Sequence, residues 1–323
     1  MLTRRQFIAA AGTWALSRGF DASHLARALG TLPASLTSVP IYLTFDDGVE
    51  TDLAEGKTGA TIDVLDTLEA RGVKATFFLH GRNTGDAEGG VVARMIRTGH
   101  HVGNHAFQQG GMTVGEKPTP AYMARQYLDT EIRIREVLAP FPDALDVYLA
   151  QPHLFRRPGG GYDNPNGNLF LMPDSGYWEE FKYDHYLAAY RRILDWLKGV
   201  YDYSGWHIDP LPLWADVETP EQVVWWTVNA PDGLDAFLHP APDDQPEATS
   251  QAALDGVIIL LHDPDPRVVK ALPAILDALD ERGAVYHVLP RPVDQPNHYT
   301  VGIGRPPEMV IPPGALVDLA QIP

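Results

Sequence analysis

The strongest constraint on this chain is a rhythm that starts at Val39, in which short apolar runs rich in β-branched residues alternate with stretches of helical spacing. Such alternation is the signature of βα units laid around a parallel sheet. Ile41-Tyr42-Leu43-Thr44 reads as the first strand. Ala60 to Arg71 follows with Ile62, Leu65 and Leu68 on one helical face, and Gly72 stands where a left-handed C-terminal cap is expected. Lys74 to Leu79 reads as a strand, Val91 to Thr98 as a helix, His101 to His105 as a strand and Met123 to Leu138 as a helix. The pattern then predicts strands at Val223 to Val228 and Val257 to Leu261, a helix from Val268 to Arg282 closed by Gly283, and a final strand from Val285 to Leu289. No glycine-rich phosphate loop follows the first strand, so the order favours a closed or nearly closed barrel over an open doubly wound sheet.

Two stretches break the rhythm. Residues 163–220 form an insertion rich in Tyr, Trp, Pro and Asp, including Tyr177, Trp178, Trp196, Trp206 and Trp214. These aromatics are either a sugar-stacking wall or ordinary core. The tail from Pro290 to Pro323 is proline-rich with little periodicity and is expected to wrap the barrel surface. At the other end, Thr3-Arg4-Arg5-Gln6-Phe7-Ile8 precedes a small apolar run, the pattern of a twin-arginine export signal. That run is too short to span a membrane. Ala26-Arg27-Ala28 has the small-x-small form of a cleavage site, so residues 1–28 are expected to be the signal and 29–323 a single domain, placed in the periplasm or outside the cell.

Charge and cysteine usage narrow the chemistry. A formal charge of -17 argues against nucleic acid, anionic lipid or acidic polymers as the main partner and favours a neutral or cationic one. With no cysteine, a thiolate nucleophile, disulfide or zinc–thiolate knot is impossible. Any metal is left to His, Asp, Glu or amides.

Four clusters lie at strand ends, where barrels of this kind build their sites. Thr44-Phe45-Asp46-Asp47-Gly48 sets two adjacent carboxylates at the mouth, one able to bind a metal while the other stays free as a base, although Asp-Gly alone is also a common turn. His262-Asp263 ends the apolar run 257–261, and an imidazole there can serve as a general acid near neutrality. Within Gly99-His100-His101-Val102-Gly103-Asn104-His105, the Cα atoms of His101 and His105 would lie about 13 Å apart along an extended strand. This segment therefore supplies one metal ligand, not two. Arg156 in Phe155-Arg156-Arg157-Pro158 can lock a carboxylate by a bidentate pair.

In this order, the pieces from Pro40 to Pro290 resemble the polysaccharide deacetylases, the NodB-homology or carbohydrate esterase 4 family. The first motif matches at Thr44–Gly48, the second strand at Gly72–Leu79, the second motif begins at Gly99–His105, the third is similar at Phe155–Pro158 and the last matches at Leu260–Asp263. The resemblance implies an α/β fold, a distorted (β/α) barrel of about seven parallel strands. It implies a divalent metal, usually zinc, and removal of acetyl groups from N- or O-acetylated sugars of chitin oligomers, peptidoglycan or acetylxylan. Asp46 would be the base, Arg156 its orienting partner, His262 the acid, and Asp47 and His105 metal ligands. The family's next histidine ligand falls at Gln109, a poorer zinc ligand than imidazole. The remaining ligand is therefore Gln109 itself, water, His101 or His80. The family's aspartate beside the catalytic His is Asn229 here, with Asp232 nearby as a substitute. Two other classes stay open: a glycan-binding relative that has lost turnover, and a metal-independent hydrolase of another C–N bond.

Overall fold

The computed structural model describes residues 40–50, 59–107, 120–156, 158, 200–203, 208, 210, 217–228 and 256–290. The signal, the tail beyond Pro290, Gln109, Asn229, Asp232 and nearly all of the aromatic insertion lie outside the described residues. Seven strands make one sheet: β1 (Pro40–Asp46), β2 (Thr76–Leu79), β3 (His101–Asn104), β4 (His153–Phe155), β5 (Val200–Asp202), β6 (Val257–His262) and β7 (Val285–Tyr286). The helices are α1 (Ala60–Arg71), α2 (Gly89–Arg97), α3 (Pro120–Leu138), α4 (Pro142–Ala150), α5 (Pro220–Val228) and α6 (Pro266–Asp280). Among the described residues, no helix is long and apolar enough to cross a membrane.

The strand order is β5-β4-β3-β2-β1-β6, with β7 on β1, and every pairing is parallel. The expected parallel α/β architecture is what forms. The hydrogen-bonded path is open between β5 and β6, but Ile208, soon after β5, bridges Ile259 on the far edge of β6. Its amide donates to Ile258 O and its carbonyl accepts from Leu260 N. Ile208 thus adds a parallel bridge at the β6 edge of the sheet.

Alternation of side chains along each strand separates two apolar layers. Ile41, Leu43 and Phe45 of β1, Phe77 and Leu79 of β2, and Val257, Ile259 and Leu261 of β6 face outward into the main core. They meet Val64, Leu65 and Leu68 of α1 and Val268, Leu272, Ile275, Leu276 and Leu279 of α6 there. Each such Leu, Ile or Phe removed from water contributes roughly 1.5–3 kcal/mol before entropy is charged against it. A smaller inner cluster of Phe78, Leu154, Tyr203, Ile258 and Leu289 fills the barrel. Above it on the same faces stand Asp46, His105, Arg156 and His262, which is why the site sits at the C-terminal mouth.

The helices α1 and α6 appear where their periodicity predicts them. Gly72 caps α1 at φ 66°, and its amide reaches Glu69 O while Val73 N reaches Leu68 O. One expected strand is corrected: Val223–Val228 lies inside α5. β-branched and aromatic propensity pointed to a strand, but Thr219-Pro220-Glu221-Gln222 is a helix start. Gln222 Oε1 accepts from Thr219 N at 2.8 Å and from Glu218 N at 2.6 Å, and Thr219 Oγ1 accepts from Gln222 N at 3.3 Å. Val223, Trp226 and Thr227 then bury one helical face. Three elements went unforeseen, α4, β4 and β5, the strands being only three residues long.

Candidate active site and metal centre

Asp46 and Asp47 leave β1 together but point to different partners. Asp46 still follows the strand, paired in register with His262 of β6 and Phe78 of β2. The residue is 3% exposed. Asp47 turns away at φ 74°, a left-handed conformation that costs most side chains about 1–2 kcal/mol and that Asp tolerates better than most. Asn83 Nδ2 donates to Asp47 O at 2.9 Å and His80 N donates to Gly48 O at 3.0 Å, fixing that turn against the end of β2.

Arg156 is 0% exposed and crosses the barrel from β4. Its Nη1 donates to Asp46 Oδ1 at 2.8 Å and to Thr44 Oγ1 at 2.7 Å, and its Nε donates to Tyr203 O at 2.8 Å. The guanidinium lies 4.3 Å from the Phe78 ring centroid, where cation–π attraction adds to its hold. Gly103 makes room for that ring: a β-carbon there would come within 2.7 Å of Phe78. The expected bidentate clamp is instead a single nitrogen shared by Asp46 and Thr44. One carboxylate oxygen is therefore fixed, and the other, Oδ2, lies 3.6 Å from His105 Nε2.

Three side chains from the ends of β1, β2 and β3 converge beside that oxygen. Asp47 Oδ1 lies 2.9 Å from His80 Nε2 and 3.4 Å from His105 Nε2. Ligand atoms of a tetrahedral zinc ion stand about 3.3 Å apart. Both imidazoles are backed by carbonyls: His105 Nδ1 donates to Arg156 O at 2.7 Å, and His80 Nδ1 donates to Ala106 O at 3.3 Å. With its proton on Nδ1, each ring presents an Nε2 lone pair to the same carboxylate oxygen, an arrangement that needs a proton or a metal ion between them. His80 Nε2 is buried, and the Asp47 carboxylate oxygen is what it meets there. Asp47, His80 and His105 are accordingly the described residues able to hold a metal together.

The electrostatics agree. Burial acts to raise the Asp47 pKa, but hydrogen bonds from His105 and His80 outweigh it and hold the group far below the usual carboxylate range. Burial acts to lower His105, yet the Asp46 and Asp47 carboxylates raise it overall. A divalent ion would meet the same negative charge of Asp46 and Asp47 that raises His105.

The structure thus brings together Asp46, Asp47, His105, Arg156 and His262 and adds His80. His101 is not among them; its Nδ1 donates to Leu289 O at the barrel floor. Gln109 and Asp232 lie outside the described residues. His80 is legible in the sequence only as the residue ending the apolar run 75–79, the same strand-end position that singled out His262.

Residues 35–169 match the family model described as polysaccharide deacetylase. Over that segment the chain is similar to the polysaccharide deacetylases. Peptidoglycan-N-acetylglucosamine deacetylase PgdA of Listeria monocytogenes is 32% identical over 114 residues, covering 35% of this chain and 22% of that protein. A chitin deacetylase from Pestalotiopsis is 31% identical over 151 residues, covering 44% of this chain and 46% of that one. The chain therefore spans less than half the length of either relative. Among solved structures, a family 4 acetyl xylan esterase from Clostridium thermocellum in complex with a cobalt ion aligns over 77% of this chain and 87% of its own, at 23% identity and a TM-score of 0.47.

Proposed function

We propose that this chain is an exported polysaccharide deacetylase that hydrolyses acetyl groups from an N- or O-acetylated glycan with the help of a divalent metal, zinc being the fitting choice for one carboxylate and two imidazoles. The observation that carries the reading is the split environment of Asp46: Oδ1 tied to buried Arg156, Oδ2 lying 3.6 Å from His105 Nε2 of the Asp47–His80–His105 cluster. A carboxylate held in that way is a base aimed at the place where water and an acyl carbonyl would meet. Bound by Asp47, His80 and His105, the ion would polarise the carbonyl and make water easier to deprotonate.

Each remaining step belongs to residues of the chain. Asp46 Oδ2 takes the proton of the attacking water, and Arg156 keeps the carboxylate oriented. The new C–O bond gives a tetrahedral centre whose collapse breaks the bond to the sugar nitrogen or oxygen. His262, registered beside Asp46 on β6, delivers a proton to that leaving atom, so acetate and a free amine or hydroxyl result. The names of the relatives support peptidoglycan, chitin or acetylated xylan as the class of substrate. The twin-arginine-like residues 1–28 support action outside the cytoplasm.

The test is acetate release by the purified protein from chitin oligomers, peptidoglycan and acetylxylan, with zinc, with cobalt and after chelation. Metal-dependent release that Asp47→Ala abolishes is the expected result. A folded protein that binds these glycans but releases no acetate with either metal would overturn the reading in favour of a binding relative.

A further inference from the structure

Two side chains that the proposed chemistry leaves unused meet behind the turn carrying Asp46 and Asp47. Asp263, next after His262, is fully buried, and its carboxylate accepts a hydrogen bond from Thr61 Oγ1 in the first turn of α1. The same hydroxyl oxygen accepts from Glu50 N at 2.8 Å, and Thr61 N donates to Glu50 O at 3.3 Å. The carboxylate also lies flat against Gly48, where an added β-carbon would come within 2.7 Å of Oδ1 and 2.9 Å of Cγ. One buried acid therefore touches the turn at Gly48 directly and at Glu50 through Thr61. The opposite side of the turn is held by Asn83 and by the His80 amide.

A carboxyl buried without a cation beside it is a poor way to stabilise a fold. Asp263 Oδ1 has no hydrogen-bond partner, and an apolar side chain of similar volume would avoid that desolvation cost. What the carboxyl supplies and an apolar group cannot is a directional contact to Thr61 and a planar surface that only a glycine at 48 can approach.

We infer that Asp263, acting through Thr61 and Gly48, is a positioning residue that fixes the Asp46–Glu50 turn and so aims the Asp47 carboxylate at His80 and His105. The proposal rests on the metal-dependent reading above and names the support of its ligand set. Loss of the Thr61–Asp263 link frees the turn at Gly48 and Glu50 while leaving β1, β6 and all three ligands in place.

Cobalt titration of the full chain tests it, followed by visible absorption and paired with a thermal melt. Thr61→Val, which keeps volume and removes the hydroxyl, and Asp263→Ala should each weaken cobalt binding tenfold or more and change the absorption band. The double variant should be no weaker than the worse single one. Asp263→Asn, whose amide oxygen still accepts from Thr61, should restore binding to near wild type. Wild-type affinity and spectrum in Thr61→Val would overturn the proposal. So would an affinity loss equalled by Tyr148→Phe, a distant buried change that lowers the melting temperature. A wild-type chain that takes up no cobalt fails earlier, at the metal reading itself.

Discussion

Arg156 serves both chemistry and stability, and different substitutions separate the two. Lysine keeps the charge but cannot hold Asp46, Thr44 and Tyr203 O at once, so Arg156→Lys should lower kcat about 100-fold with little change in KM, as steady-state kinetics will read. Alanine leaves Asp46 buried without its guanidinium partner and should destabilise the fold by about 3–5 kcal/mol in urea unfolding. His80→Ala should cost more metal affinity than the roughly 10- to 100-fold that follows loss of an outer partner, and isothermal titration with zinc will show it. His100, far from the mouth, gives a pH prediction. Burial, aided by the Lys74 charge, holds its pKa down at about 4 against an ordinary 6.5, and its Nδ1 accepts from Ala75 N at 3.1 Å. Between pH 4 and 6.5 the unfolded chain binds more protons there than the folded one, so stability falls as pH drops through that window, by up to about 3 kcal/mol. Melts of His100→Asn against wild type should show a shallower acid slope. The sequence exposed Asp46, Asp47, His105, Arg156 and His262 because motif spacing marks strand ends. It left His80 as one option among several, because the direction of an imidazole depends on how β2 and β3 are stacked.

At the scale of elements, propensity and capping compete, and α5 shows which prevails. Its Val-Val-Trp-Trp-Thr-Val run favours extended chain, but Pro220 at the helix start and the Thr219–Gln222 box organise the first turn. Removing the box by Thr219→Ala should cost about 1 kcal/mol, seen as a lower melting temperature with the metal site unchanged. The same reasoning explains what was legible. Ala60–Arg71 emerges with its predicted bounds because its apolar spacing, its glycine stop and its burial all agree. The three-residue strands β4 and β5 carry too few side chains for a period of two to register, and only their neighbours define them.

For the whole molecule, the barrel mouth gathers its ligands from three strands, so binding there clamps β1, β2 and β3 together. Chelation should therefore lower the melting temperature by an amount that grows with the logarithm of free metal, about 4 kcal/mol of stabilisation at 1,000 times the dissociation constant. A melting temperature indifferent to chelator would argue against an ion at Asp47, His80 and His105. The parallel barrel-like layout was readable from the alternation of elements, whereas the bridge of Ile208 to Ile259 was not, since it joins chain segments with no shared periodicity. The floor of the barrel carries one more consequence. There Leu289 N donates to Thr76 Oγ1, Tyr203 Oη donates to Pro290 O, and His287 N donates to Ile41 O. During synthesis β1 leaves the ribosome early, yet its partners β6 and β7 arrive more than two hundred residues later. Until then one edge of an apolar strand stays open to other chains. Truncation before residue 257 should therefore yield aggregates rather than a smaller soluble barrel, and the slowest step of maturation should be the arrival of the final strands.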